Sequence, residues 1–335
     1  MAASIRDVAQ RSGVSIGTVS NAINRPGEVA ADTLVRVQQA IAELGYVPNR
    51  AARALRGGPS STVGFVVMSG QNPFFTDIVR GAEDEAAVRG IAVLYGNADE
   101  DADRENLYLD LFEAQQVRGI LISPFGDIDA RLRKLAQRGI RPVLIDRFGD
   151  KEFSSVSVDN VEGGRVAVEH LIAQGRRKIA VVGGLLPFQQ AVDRLAGARL
   201  AAAQADVDVE IRSIPLEGMS VEAGVASGSR LLAREIKYWP DAIFAVNDLV
   251  ALGILQALTT DGRIRVPEDI AIIGFDDISF AAAAAVPLSS MRQPSRMIGR
   301  TAMRILLEEE KDHDVVRRHT VFQAELVARA STGIR

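Results

Sequence analysis

Cysteine is absent from this 335-residue sequence, and histidine occurs only three times, at His170, His313 and His319. Disulfides, thiolate catalysis and cysteine-bearing metal sites are therefore excluded, and three scattered imidazoles make a poor metal set. No metal and no cofactor are expected. Long apolar runs are missing too. Nothing approaches the roughly 20 uninterrupted apolar residues that a bilayer crossing needs, and the first residues lack the basic-then-apolar order of an export signal. A cytoplasmic chain with no membrane partner is the expectation. What is present, 47% hydrophobic residues over 335 positions, suits a globular protein of about two domains with a large core.

The net charge of −4 is unevenly placed: residues 1–56 hold seven Arg against four Asp or Glu, and the rest holds 32 basic against 39 acidic residues. A weakly basic N-terminal part can meet phosphates while an acidic body discourages unspecific sticking. The same N-terminal part carries the most specific pattern, SIRDVAQRSGVSIGTVSNAIN over residues 4–24. Ile5, Val8 and Ala9 recur at i, i+3 and i+4, predicting a short amphipathic helix. Gly13 can take positive φ to end it, Val14 can pack under the turn, and Ser15 is a good N-cap for the next helix. Val19, Ala22 and Ile23 form the inner face of that helix. Its outer face carries Ile16, Gly17, Thr18, Ser20 and Asn21, with no carboxylate to repel phosphate, so it can lie in a major groove. An ordinary helical hairpin is the bland alternative.

A third helix is expected over 31–44, with Leu34, Val37, Ile41 and Leu44 on one face and Gly45 as its stop. Ala30 stands where a capping Ser or Thr would serve, so this helix should start at Asp32 or be weakly capped. The segment Asn49-Arg50-Ala51-Ala52-Arg53-Ala54-Leu55-Arg56 is too short to be a stable helix alone, and residues 57–61, GGPSS, read as a linker.

From Val63 onward apolar runs alternate with amphipathic helices. Strands are expected at 63–68, 91–94, 119–122 and 143–145, with helices at 74–89, 104–115 and 128–138. Near 156–159 the series restarts, with helices at 163–174, 195–205, 221–233 and 249–261 and strands at 179–182, 210–214, 242–246 and 270–275. This is the pattern of a parallel, doubly wound α/β sheet made twice. A last helix at 296–309 and strands at 316–322 and 325–327 should cross back between the lobes. The expected domains are 1–48 for the helical head, 49–61 for hinge and linker, and 62–335 for the body, its lobes about 62–160 with 293–320 and 161–292 with 321–335. Ligands of such sheets bind at the carboxyl ends of strands, here in the cleft between lobes.

DVAQRSGVSIGTVS with AINRP, ELGYVPNRAARALR, DN-GG at 159–164, AVND at 245–248 and IIGFDD at 272–277 follow one another in this order. Together they resemble the lactose-repressor/galactose-repressor family of bacterial transcription regulators. The resemblance covers nearly the whole chain and implies an all-α helix-turn-helix head on an α/β body of two Rossmann-like lobes, periplasmic-binding-protein-like. By that resemblance Thr18 and Ser20 contact phosphate, Ile16, Gly17 and Asn21 occupy base-reading positions behind the Ser15 cap, and Asn24 and Tyr46 help position the head. Gly17 departs from the pattern, since it offers no side chain to a base. The hinge from Asn49 resembles the family segment that becomes helical only on operator, with Leu55 as a minor-groove wedge and Arg50, Arg53 and Arg56 on phosphates.

A sugar in the cleft needs aromatic faces and carboxylate, guanidinium and amide groups. Asn72, Phe74 and Phe75 follow the first strand, Asp146 and Arg147 the fourth, Arg194 lies in RLAG, Asn247 follows AV, Asp276 follows IIGF, and Gln293 lies in SMRQP. The set looks like that of ribose-type sugar-binding proteins and their repressor relatives, which implies a pentose-like effector. Taken singly, the two Phe residues could be core, and Asp146 with Arg147 could be an interlobe ion pair. The alternatives are the same regulator answering a nucleobase, a phosphorylated metabolite or a protein co-regulator, and, from another class, an exported solute-binding protein. An enzyme is not expected, because VVGGLLPF at 181–188 lacks G-x-G-x-x-G spacing and no His or Cys sits beside a serine. The expected partners are double-stranded DNA with a palindromic operator, a small-molecule effector and a second copy of the chain. With no leucine heptads after the last strand, a dimer rather than a tetramer is expected.

Overall fold

The computed structural model describes residues 3–46, 60–148, 152–310 and 316–333. Two compact units, residues 1–59 and 60–335, divide the chain. In the first, α1 (Ile5–Ser12) starts at a capping box, with the Ser4 backbone N–H donating to Asp7 Oδ2 at 2.7 Å. Gly13, at φ 68°, turns the chain out of α1 in the left-handed region. Ser15 then caps α2 (Ile16–Asn24), its hydroxyl accepting from Thr18 N at 3.0 Å. α3 (Ala31–Leu44) closes over both, and Val8, Val19 and Val37 are fully buried where the three meet. Ala30 offers α3 no side-chain cap, so the helix starts at Ala31 weakly capped, the second of the two expected outcomes. The hinge residues Asn49, Arg50, Arg53, Leu55 and Arg56 lie outside the described residues.

The second unit contains two six-stranded sheets. The first lobe runs β1 (Thr62–Val67), α4 (Pro73–Ala87), β2 (Ala92–Asn97), α5 (Ala102–Ala114), β3 (Gly119–Ile122), α6 (Asp129–Gln137), β4 (Arg141–Ile145) and β5 (Ser154–Val158). The second runs α7 (Asn160–Ala173), β6 (Lys178–Val182), α8 (Gln189–Gln204), β7 (Glu210–Ile214), α9 (Val221–Leu232), β8 (Ala242–Ala245), α10 (Asp248–Asp261), β9 (Ala271–Asp276), α11 (Ser279–Ala283) and β10 (Ser289–Arg292). The chain then returns as α12 (Ser295–Glu309), packed on α4, and β11 (His319–Phe322), which pairs with β5 in the first sheet. It leaves again as β12 (Glu325–Val327), antiparallel to β10 in the second. The strand orders are β11-β5-β4-β3-β1-β2 and β12-β10-β9-β8-β6-β7, and every pairing except β10 with β12 is parallel.

Three elements differ from the sequence pattern, the first being the short α11, which it did not predict. β10 was not expected, because its SSMR sequence has no apolar run, yet Ser289 and Ser290 are fully buried with their hydroxyls bonded to Arg329 O and Asp248 Oδ1. Satisfied hydroxyls can stand in a core where unpaired ones could not. α8 starts at Gln189 rather than near Leu195, because its first inward turns bury Gln190 and Arg194, polar residues invisible to an apolar periodicity.

Supplying the missing cap has a measurable outcome. Ala30→Ser should stabilise α3 by about 1 kcal/mol, slowing hydrogen exchange of its amides about five-fold where local opening limits exchange. Unchanged exchange would show that the uncapped start does not limit this helix.

Candidate effector cleft and nucleic-acid interface

The carboxyl ends of both sheets converge on one cluster. Asn72 caps α4 through Oδ1, which accepts from Phe74 N at 3.0 Å, and its free amide Nδ2 donates across the cleft to Asp276 Oδ2 at 2.9 Å. Gln293, on the crossover after β10, donates from Nε2 to the other oxygen, Asp276 Oδ1, at 2.7 Å. Asp276 itself has φ 116° and Asp277 φ 54°, left-handed positions for non-glycine residues that cost on the order of 1–3 kcal/mol each. Such strain is retained where the surroundings over-determine it.

Arg194, only 2% exposed, enters from α8. Its Nε donates to Asn160 Oδ1 at 2.8 Å, Nη1 to Val246 O at 2.5 Å, and its guanidinium lies 3.7 Å from the centre of the Phe275 ring. Backbone packing fixes this reach. A Cβ at Gly164 of α7 would stand 2.2 Å from Arg194 O, so only glycine lets α7 and α8 approach this closely. Asn247 caps α10 by accepting from Val250 N at 2.9 Å and donates to Met219 O at 3.1 Å.

Three buried carboxylates face this one guanidinium: Asp146, Asp248 and Asp276 are all pushed above the usual carboxylate range, first by burial, and for Asp146 and Asp248 also by Asp276. Arg194 in turn is lowered by its own burial, against the pull of those same carboxylates. Asp146 Oδ1 and Gln293 Oε1 are buried with no hydrogen-bond partner among the described residues. Beside Asp146, the one member of this cluster that lines it, lies a cavity of about 290 Å³ bounded also by Phe148, Asn160, Gln190 and Asp193.

The structure thus brings Asn72, Asp146, Arg194, Asn247, Asp276 and Gln293 to the cleft. It places the others elsewhere. Phe74 and Phe75 are buried in the main core, edge to face at 5.1 Å, which matches the core alternative. Arg147 points along its own lobe, 3.4 Å from Asp129, so it forms no interlobe pair with Asp146. Sequence reasoning missed Asn160, Gln190 and Asp193, although Asn160 stands in the quoted DN-GG stretch. It also missed Phe188, which meets Phe125 of the other lobe at 5.5 Å between ring centres.

In the first unit, Ser15, Ile16, Gly17, Asn21 and Asn24 are exposed and Thr18 and Ser20 half-buried, on the side of α2 away from the core. Ile16 keeps 44% of its surface. Asn24 Nδ2 donates back to Ser20 O at 2.9 Å, and Tyr46 packs on the edge of the three-helix core.

A helix-turn-helix unit in sequence before a two-lobed body whose cleft gathers buried polar groups is the build of a ligand-responsive DNA-binding regulator. Residues 4–49 match the bacterial regulatory proteins of the lacI family, and residues 168–332 match the periplasmic binding protein-like domain. Over 334 residues, 98% of each chain, the sequence is 35% identical to the HTH-type transcriptional repressor PurR of Aliivibrio fischeri strain MJ11. The lac repressor dimer bound to operator and the anti-inducer ONPF superposes with a TM-score of 0.84 at 28% identity, covering 99% of both chains. A LacI family transcriptional regulator from Enterococcus faecium with bound ribose gives a TM-score of 0.73 at 25% identity, covering 81% of this chain and 98% of that one. The chain belongs to the lacI family of bacterial regulatory proteins: it is a DNA-binding transcriptional repressor and not an enzyme.

Burial takes Asp146 from 3.8 up to about 7, with Asp276 adding to the shift and Arg194 opposing it. Between about pH 4 and 7 the folded chain therefore keeps a proton that the unfolded chain has released. Its stability is full below this window and falls as pH rises through it, by up to about 1.4 kcal/mol per pH unit. Asp146→Asn should raise the Tm above wild type at about pH 8, converge with it near pH 4 and flatten part of the decline between. Thermal unfolding curves that stay parallel across the range would contradict a protonated Asp146.

Proposed function

We propose that a small neutral polyol, a sugar of pentose size, binds between the two lobes and sets the affinity of a dimer for a palindromic operator. The observation that supports this most is the pair of buried oxygens without hydrogen-bond partners, Asp146 Oδ1 and Gln293 Oε1, near an Arg194 whose Nε and one Nη already bond Asn160 and Val246. Buried polar atoms call for partners: Gln293 Oε1 accepts, and the Asp146 carboxyl accepts when ionised and donates when protonated, which suits hydroxyl groups able to do either. A phosphorylated ligand would instead bring its charge up to the carboxyl groups of Asp146 and Asp276. The cavity of about 290 Å³ lies at the lower end of ligand sites, which favours a small molecule.

On the DNA side, Asn21 suits a bidentate bond to adenine and Ile16 contact with a thymine methyl, while the hydroxyls of Thr18 and Ser20 suit phosphate. Gly17 makes no base contact, so discrimination falls on its neighbours. Two copies give the twofold reading a palindrome requires. Closure of the lobes on the ligand shifts the hinges from Asn49 onward and so changes operator affinity, through the ligand's unequal affinity for the open and closed states. A regulator that acts on DNA in this way works in the cytoplasm.

Calorimetric titration with pentoses, hexoses and nucleosides tests the effector. One pentose should bind, and Asp276→Ala and Arg194→Ala should each weaken it by more than about ten-fold, since each leaves a buried charge without its partner. Binding of a nucleobase-containing compound alone would move the effector to another class and leave the DNA-binding assignment intact.

A further inference from the structure

Neither oxygen of Asp276 is free and its backbone is strained, so something outside the cleft must hold the Asp276–Asp277 turn. The two amides that follow Asp276 show what does. The Asp277 backbone N–H donates to Ser290 Oγ at 3.0 Å, and the Ile278 backbone N–H donates to Asp248 Oδ2 at 2.8 Å. Ser290 Oγ in turn donates to Asp248 Oδ1 at 2.6 Å. One fully buried carboxylate, on the first turn of α10, therefore holds both amides, one directly and one through a hydroxyl of β10.

Three neighbouring groups fix this arrangement further. Gly274 leaves room for the carboxylate, since a Cβ there would stand 2.1 Å from Asp248 Oδ1. The Asp277 side chain, itself nearly buried, is held by Arg292 Nε and Arg329 Nη1, each at 2.7 Å. With Asp277 anchored on one side and both amides on the other, the Asp276 carboxylate has one direction left, across the cleft to Asn72 and Gln293.

We infer that Asp248 and Ser290 are positioning residues for the effector site: they impose the left-handed Asp276–Asp277 turn, and through it the aim of Asp276, without touching the ligand themselves. This rests on the assignment of Asp276 to effector binding. It differs from a general stabilising role because the bonds converge on two amides of one strained turn.

Full-length wild type, Ser290→Ala, Asp248→Asn and a control, Ser331→Ala, are titrated with D-ribose as the probe and their crystal structures compared. Ser331 is an equally buried serine of the same lobe whose hydroxyl donates to Ile272 O at 2.6 Å and accepts from Ser289 N at 2.8 Å, so it anchors the strand that carries Ser290 without bonding the Asp276–Asp277 turn. Ser290→Ala should weaken ribose binding at least about ten-fold, and Ser331→Ala at most about two-fold, at comparable losses of Tm. In an Asp276→Asn background the extra loss from Ser290→Ala should largely vanish. Equal weakening by both serine variants, or an undiminished loss in the Asp276→Asn background, would overturn the inference. Should ribose fail to bind wild type, ribose is not the effector and the structures decide: Asp276 moved off Asn72 and Gln293 in Ser290→Ala and Asp248→Asn supports the positioning role, and Asp276 unmoved refutes it.

Discussion

Arg194 is the charge on which the cleft depends. Asp146, Asp248 and Asp276 are buried around it, and without a cation their mutual repulsion and desolvation would be untenable together. Its own burial is made tolerable by a carbonyl, an amide oxygen and an aromatic face, one from each of three neighbouring elements. The close approach of α7 to α8 at Gly164 then makes the position of the guanidinium a property of the main chain. Polar groups of both lobes can therefore be organised around a point that does not drift.

Much of this was legible in the sequence, for a physical reason. Helix ends are written in residue types that either can or cannot adopt a conformation, and Gly13, Ser15 and Gly45 do in the structure what their chemistry allows. Strands buried on both faces leave apolar runs such as TVGFVV and AIFA, which stand out from their surroundings. Cleft residues were found at the carboxyl ends of strands, as with Asp146, Asn247 and Asp276, of which Asp276 bonds across to the other lobe.

The failures share the opposite cause. β10 and the first turns of α8 are buried with polar inner faces, so their burial is encoded in hydrogen-bond partners that only the fold assembles. Arg147 shows the limit of position along the chain. A residue can follow a strand directly and still turn back along its own lobe, because Asp129 of α6 offers it a nearer charge. Phe74 and Phe75 were ambiguous between stacking platform and core for a related reason, since apolar character alone does not say which surface an aromatic ring will cover.

The chain passes from one sheet to the other three times, after β5, after β10 and between β11 and β12. One connection would leave two bodies free to twist and slide, whereas three side-by-side connections act like the leaves of a piano hinge and leave little beyond opening and shutting. Motion of this body is thereby reduced to about one coordinate. Whatever sits in the cleft can change only how far along that coordinate the lobes rest, so occupants differ in degree and not in kind. The pocket is free to be rewritten for new small molecules without redesign of the output, an economy that lets one scaffold serve many metabolic cues.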